Sequence, residues 1–344
     1  MNALVYNGPN AGVSLTTRPK PTASAATDAV VKVTHSTICG TDLHIIKGDV
    51  PTCAPGTILG HEGVGVIEST GAGVSAFKPG DPVLISCISA CGACAYCRRG
   101  MPSHCASGGW ILGNSIDGTQ AEYVRIPFAE NSLYKIPPGV EPATMVMLSD
   151  ILPTGFECGV LNGKVEPGAS VVVVGAGPVG LAALLTAQLY SPGILIVIDP
   201  DENRLAVARA FGAEFTGTPG QAEELVREVT EGKGCDTVIE AVGIPATFTQ
   251  CQELVAPGGV IANVGVHGVK ADLHLEKLWD RNVSITTRLV DAVTTPMLLK
   301  LLAAKKLPAD KLITHTFPFK DMEKAYGTFQ AAAENKALKV IIDM

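Results

Sequence analysis

The chain has 344 residues, of which 47% are hydrophobic and 17% charged. At roughly 150 residues per domain that is length for about two domains, with the composition of a folded chain rather than a disordered one. The 26 basic and 33 acidic side chains leave a formal charge of −7, which argues against a nucleic-acid binder that works by neutralising phosphates, and aromatics at 5% leave few rings for base stacking.

The opening residues MNALVYNGPN lack a basic start followed by an apolar run, so no secretory signal is read and a cytoplasmic setting is expected. To about residue 150 the texture is turn-rich with short alternating runs. AVVKVTHSTI (29–38), GVGVIEST (63–70) and DPVLISC (81–87) read as strands, the pattern of a small β-barrel or sandwich. Near residue 168 the texture changes. VVVVG (171–175) is a continuous apolar run, the mark of a strand covered on both faces. After it come helix GLAALLTAQL, strand ILIVID (194–199), and helices at 202–213 and 222–232. Strand CDTVIEAVG (235–243), helix ATFTQCQELV (246–255) and strands at 259–265 and 283–290 follow. Strands alternating with helices predict a parallel, doubly wound sheet, so the fold class is α/β. The tail from Pro296 holds one helix and a last apolar strand, LKVIID (338–343), which is expected to return to the first domain.

The stretch Ser170–Ile198 carries no charge and is long enough to suggest a membrane span. Gly175, Gly177, Gly180 and the Ser191-Pro192-Gly193 break favour a buried strand, helix and strand instead, and no membrane association is expected.

Without an export signal, the ten cysteines point to metal binding or catalysis rather than to disulfides. Cys91, Cys94, Cys97 and Cys105 are spaced C-x2-C-x2-C-x7-C. Four thiolates in one loop suit a closed tetrahedral zinc site, and an iron–sulfur cluster is the rival use. Such a site has no open coordination position, so its role would be structural. Cys235 and Cys251 read as small buried side chains, while Cys53, Cys87 and Cys158 show no partner. His35, His104, His267, His274 and His315 are not paired at metal spacing and are read as non-ligands.

GAGPVG (175–180) follows an apolar strand and opens a helix, the context that makes G-x-G-x-x-G a dinucleotide site. Gly175 permits the turn, Gly177 lets the backbone approach a pyrophosphate, and Gly180 lets helix and strand pack. Pro178 and Val179 lie between them, at the helix start that would face the phosphates. Asp199 ends the second strand, where a carboxylate binds ribose hydroxyls and repels a 2′-phosphate, so NAD is expected over NADP. Asp199 could instead be a helix N-cap, and nearby Arg204 could stack on adenine. Cys39 in CGTDLH and His61 in GHEGVG supply a thiolate and an imidazole, both zinc donors, and carboxylates Glu62 and Asp150 are in reach as further ligands.

CGTD, GHEGVG, the four-cysteine loop and GAGPVG, in this order, resemble the zinc-dependent medium-chain dehydrogenase/reductase family across essentially the whole chain. Within it, Asp150 before LPTGF, Trp110 in GGWILGN and His44 in DLH resemble the bacterial secondary alcohol dehydrogenases. Many of those lack the four-cysteine site, and other subfamilies use Cys or Glu where Asp150 stands. The resemblance implies a GroES-like β-barrel catalytic domain (1–153 and 296–344) and a Rossmann domain (154–295). It implies two zinc ions per chain. Cys39, His61 and Asp150 would hold the catalytic one, with Glu62 an intermittent ligand or close neighbour. Thr41 would take the alcohol proton and His44 pass it on, and Asp42 would orient the His61 ring. Trp110 and Leu289 would line the substrate pocket. Thr154, Val264, Gly265, Val266 and Leu289 would lie along the cofactor. The implied activity is reversible oxidation of small to medium secondary alcohols by NAD, in a homo-oligomer (tetramer or dimer). The alternatives are a polyol or diol dehydrogenase, and a non-catalytic zinc- and nucleotide-binding redox protein.

Overall fold

The computed structural model describes all 344 residues. It divides into two compact units, Met1–Asp150 with Asp291–Met344, and Ile151–Val290. The boundaries read from the sequence, after residues 153 and 295, lie three and five residues further along (153 − 150; 295 − 290).

The first unit is built on a seven-stranded, mostly antiparallel sheet. Its organising strand is Ala29–Thr37, nine residues of strongly β-branched sequence. That length lets one edge pair with Gly63–Thr70 throughout. The other edge serves two partners, Tyr123–Ile126 over its first half and Lys339–Asp343 over its second. Ala29, Val31 and Val33 face inward and join Ile67, Val83, Ile85, Val124 and Ile126 in one core. The terminal strand does return to this sheet, pairing Ile341 with Thr37. Ile313–Pro318 runs parallel beside it, and Asn2–Tyr6 forms a separate hairpin with Val13–Thr17. These last pairings were not apparent in the sequence.

Pro82–Ile85 is shorter than the strand expected at 81–87. From Ser86 the backbone changes partner: the Ser86 N–H donates to the Ser132 carbonyl and the Cys87 N–H to that of Ser149, each at 3.0 Å. The chain is thereby steered off the sheet end.

The second unit holds six parallel strands, in the spatial order Phe215–Gly217, Ile194–Ile198, Ser170–Val174, Cys235–Glu240, Val255–Asn263, Ser284–Thr287. The order in which strands are added reverses between Ser170–Val174 and Cys235–Glu240, the switch point at which such sheets bind ligands beyond the strand C-termini. Every residue of Ser170–Val174 is buried, as its unbroken apolar run requires. The uncharged 170–198 stretch is thus a strand, the helix Pro178–Ala187 and a second strand, all within this unit.

The glycine loop shows why its residues differ in tolerance. A Cβ on Gly180 would lie 1.8 Å from the Gly175 carbonyl oxygen, whereas one on Gly177 would meet nothing within 4 Å. Gly177 also has an ordinary extended backbone, with φ −70° and ψ 179°. We predict that Gly180→Ala costs about 1–3 kcal/mol through overpacking, and that Gly177→Ala leaves stability within about 0.5 kcal/mol of the parent. Urea titration of the two variants checks both; equal losses would contradict the packing account.

Candidate metal and dinucleotide sites

Cys39, His61 and Asp150 are far apart in sequence but meet at one end of the first unit's sheet. Ser36 pairs with Gly63 in antiparallel register, so the chain leaving one strand and the chain entering the next are neighbours. This sets Cys39 beside His61. Gly63 also pairs with Ile85, which brings Cys87 to the same end. Ser149 is fixed there too. Its Oγ accepts from the Gly63 N–H at 3.1 Å and donates to the Gly63 carbonyl at 3.2 Å, so Asp150 follows at the sheet end.

One Cys39, His61 and Asp150 donor atom each lie within 4.8 Å of one another. His61 Nε2 is 3.3 Å from Asp150 Oδ2, and Cys39 Sγ is 3.9 Å from the same oxygen. Tetrahedral zinc bonds of about 2.0–2.3 Å put donors roughly 3.3–3.8 Å apart, so this set fits such an ion. The electrostatics agree. Burial alone would push the His61 imidazole down, but the Cys39 and Asp150 charges hold it well above its ordinary value. A negative field that raises a buried imidazole in this way is one that a divalent cation would neutralise. Cys39 also stands at the N-cap of the helix Gly40–Lys47.

The residues around this group differ in part from expectation. Asp42 is fully buried, but its Oδ1 stays 4.0 Å from His61 Nδ1, too long for a hydrogen bond. Its other oxygen accepts from the Cys39 N–H at 2.9 Å and from Gln120 Nε2 at 3.0 Å, and Tyr326 donates to Gln120 Oε1 at 2.9 Å. Asp42 therefore anchors the start of the helix, and burial pushes its carboxyl up. Thr41 Oγ1 lies 3.7 Å from Cys39 Sγ, and His44 follows one turn later. The Trp110 ring meets His61 edge-on at 6.2 Å. Cys87, for which the sequence suggested no partner, directs its thiol to Asp150 Oδ1 at 3.8 Å.

Glu62 is buried with Lys339, which the sequence reading passed over. Each side chain is 1% exposed. Lys339 Nζ donates to Glu62 Oε2 and, at 3.3 Å, to the Ile38 carbonyl, while Glu62 Oε1 has no partner. Lys339 opens the terminal strand, which runs antiparallel to Ala29–Thr37, and so arrives where Cys39 leaves. The signal was a lone charge in the apolar run ALKVIID.

Cys91, Cys94, Cys97 and Cys105 form the second group of donors, again within 4.8 Å of one another. All are free thiols, with Cys94 and Cys97 sulfurs 3.5 Å apart. Backbone N–H groups of Ala93 and Cys94 point at Cys91 Sγ and lower its thiol. The N–H groups of Ala106 and Cys97 hold Cys94 down at about 6. Polarised thiols converging in this way suit a metal without needing catalysis.

In the second unit, Asp199 is 3% exposed and stands at the glycine loop. Its Oδ2 accepts from the Ala176 N–H at 2.7 Å and its Oδ1 from the Asp201 N–H at 2.8 Å. The next helix is capped by Asp201, not by Asp199. Arg204 Nη1 lies 3.9 Å from Asp199 Oδ2. Gly175 has φ 103°, and Pro178, Val179 and Gly180 open the following helix. The N–H groups of Val264 and Gly265 donate to the carbonyl of Glu240, a buried residue that the sequence reading missed. Val266 and Leu289 are exposed, and Thr154 ends the short helix Ile151–Thr154.

Comparison with known proteins follows from this geometry. Residues 25–138 match the family "Alcohol dehydrogenase GroES-like domain", and residues 178–304 match "Zinc-binding dehydrogenase". The structure is similar to a zinc-dependent alcohol dehydrogenase 2 from Streptococcus pneumonia in its apo form, at 52% identity and TM-score 0.96, covering 100% of this chain and 98% of that one. An alcohol dehydrogenase from Cupriavidus necator is 32% identical, over 99% of this chain and 98% of its own. A sorbitol dehydrogenase from Halalkalibacterium halodurans is 31% identical over the full length of both.

Breaking the Glu62–Lys339 pair from one side should be costly. Lys339→Met is expected to lose about 3–5 kcal/mol, because Glu62 is left buried without a counter-charge. The double variant Glu62→Gln/Lys339→Met should recover much of that loss. Chemical denaturation of the three proteins measures it, and a double variant no more stable than Lys339→Met would refute the pairing account.

Proposed function

This chain belongs to the zinc-dependent medium-chain dehydrogenase family and is a zinc-type alcohol dehydrogenase; from that premise we propose that it interconverts small to medium secondary alcohols and ketones with NAD. The observation that carries this reading is the Cys39, His61 and Asp150 donor set at the sheet end. Cys39 and Asp150 together offset the charge of a zinc dication, and the second zinc belongs to Cys91, Cys94, Cys97 and Cys105. When bound, zinc supplies Lewis acidity toward the alcohol oxygen, and NAD accepts the hydride.

The chain's own groups supply the rest. Thr41 Oγ1 accepts the alcohol proton, and His44 carries it to water. Trp110 gives the substrate side an apolar wall beside His61. Glu62, paired with Lys339, would be an intermittent ligand or close neighbour of that metal. The loop Gly175–Gly180 receives the pyrophosphate, with Pro178 and Val179 starting the helix beneath it. Asp199 receives the ribose hydroxyls, which supports NAD over NADP, and Arg204 lies beside the adenosine. Thr154, Val264, Gly265, Val266 and Leu289 attend the nicotinamide end. The sorbitol dehydrogenase relative keeps polyols as the second substrate class.

We further propose a homo-oligomer in which the second units pair. Ser284–Thr287 ends the six-stranded sheet with one edge unpaired, and Trp279 and Leu275 beside it in sequence are 78% and 60% exposed. Cytoplasmic location is part of the same reading.

Three outcomes are expected. Cys39→Ser should lose turnover at 340 nm and fall from two zincs per chain to one while still binding NAD; full turnover in that protein would overturn the mechanism. 2-Butanol should exceed sorbitol and butanediol in kcat/KM, and NAD should exceed NADP; the reverse order would favour the polyol reading. Trp279→Lys should shift sedimentation toward smaller species, and an unchanged assembly would place the interface elsewhere.

A further inference from the structure

The helix Gly40–Lys47 ends on Gly48, whose φ of 91° turns the chain back on itself. Pro9 closes the outside of this turn: a Cβ on Gly48 would meet Pro9 Cβ at 2.9 Å. The reversal brings Asp49 under His44, and two bonds join the pair. The Asp49 N–H donates to the His44 carbonyl at 2.9 Å. His44 Nδ1 lies 2.9 Å from Asp49 Oδ2. A carboxylate can only accept, so Nδ1 must be the protonated nitrogen in this contact. The other nitrogen, Nε2, is then the one with a free lone pair.

We propose that Asp49 is the positioning residue of the proton relay: it locks His44 as the Nδ1–H tautomer and so makes Nε2 the receiving atom. The proposal rests on the reading of Thr41 and His44 given above. Those two residues are three apart on one helix and share a face. The proton arrives at Nε2, and the imidazolium so formed keeps its Nδ1–H on the Asp49 carboxylate. One proton then passes to water and the neutral ring is restored; no electrons are exchanged. Both side chains are open enough for this, at 34% and 44% exposure. An aspartate that orients the proton-carrying histidine of a relay is a general chemical device, built here from a helix C-terminus.

The test uses the zinc-loaded, full-length protein with 15N-labelled histidine, in which the His44 signals are identified by their loss in His44→Gln. In the parent, His44 should show a protonated Nδ1 and a bare Nε2. Asp49→Glu keeps a carboxylate, which can only accept, and should keep that tautomer, with kcat down by no more than about three-fold. Asp49→Ala should shift His44 toward the Nε2–H form and lower kcat by about ten-fold, the low end for loss of an orienting partner, with KM for the alcohol little changed. A parent already in the Nε2–H form, or an Asp49→Ala protein with unchanged tautomer and rate, would overturn the proposal. If His44→Gln itself turned over at the parental rate, the relay reading would fall and this inference with it, whereas a slow His44→Gln beside a fully active Asp49→Ala would sink the Asp49 role alone.

Discussion

A sulfur, an imidazole nitrogen and a carboxylate oxygen sit together at the end of an antiparallel sheet, and the rest of the first unit serves to keep them there. Like-signed donors do not gather on their own, because a thiolate and a carboxylate at these separations repel. Backbone pairing supplies the force that overcomes this. The Ser36–Gly63 register puts residues 39 and 61 side by side, and the bonds of Ser149 to Gly63 hold residue 150 beside them. Slipping that register by one residue would turn the inward set, Ala29, Val31 and Val33, to the other face. The core of the sheet therefore guards the geometry of the site.

The charges around the donors are arranged with equal economy. The His61 imidazole is pushed up by its neighbours, and Glu62 is balanced by a lysine from the far end of the chain. Asp42 faces the same cluster but spends one oxygen on Cys39 and Gln120. Its buried partnerless Oδ1 and that of Glu62 Oε1 are the two unsatisfied carboxylate oxygens of this region. Such groups are rare in folded proteins and cluster where charge is handled. They are consistent with a site whose balance depends on a cation held by Cys39, His61 and Asp150.

The second unit solves a different problem, the approach of a polyanion to a protein backbone. Its parallel strands end together, so that the glycine loop, Asp199 and the Glu240 carbonyl lie along one edge of the sheet. Gly175 and Gly180 are required by contacts within the protein, whereas Gly177 faces open space. Glycine at that position therefore answers to what approaches from outside. Asp199 braces that loop through the Ala176 N–H.

Much of this was legible in the residue order. Local periodicity gave away the buried strands Ser170–Val174 and Ile194–Ile198 and the helix between them, because burial on both faces leaves an unbroken apolar run. Cysteines three and eight positions apart announced their own group, since ligands in one loop need no folding argument. Family resemblance named Cys39, His61 and Asp150, though nothing in their spacing could show that they meet. Lys339 and Cys87 escaped because their meaning is entirely non-local: one is an isolated charge in an apolar strand, the other a lone thiol, until sheet pairing carries them to Glu62 and Asp150. The Asp42 contact went the other way, with the expected bond to His61 opened to 4.0 Å by the competing demand of a helix start. What the sequence alone determined was the strand–helix–strand run from Ser170 to Ile198 and the chemical kind of each donor, both written within a short stretch of chain. Which donors converge, and which charges balance them, only the tertiary structure decided, because strand register couples residues more than 270 positions apart.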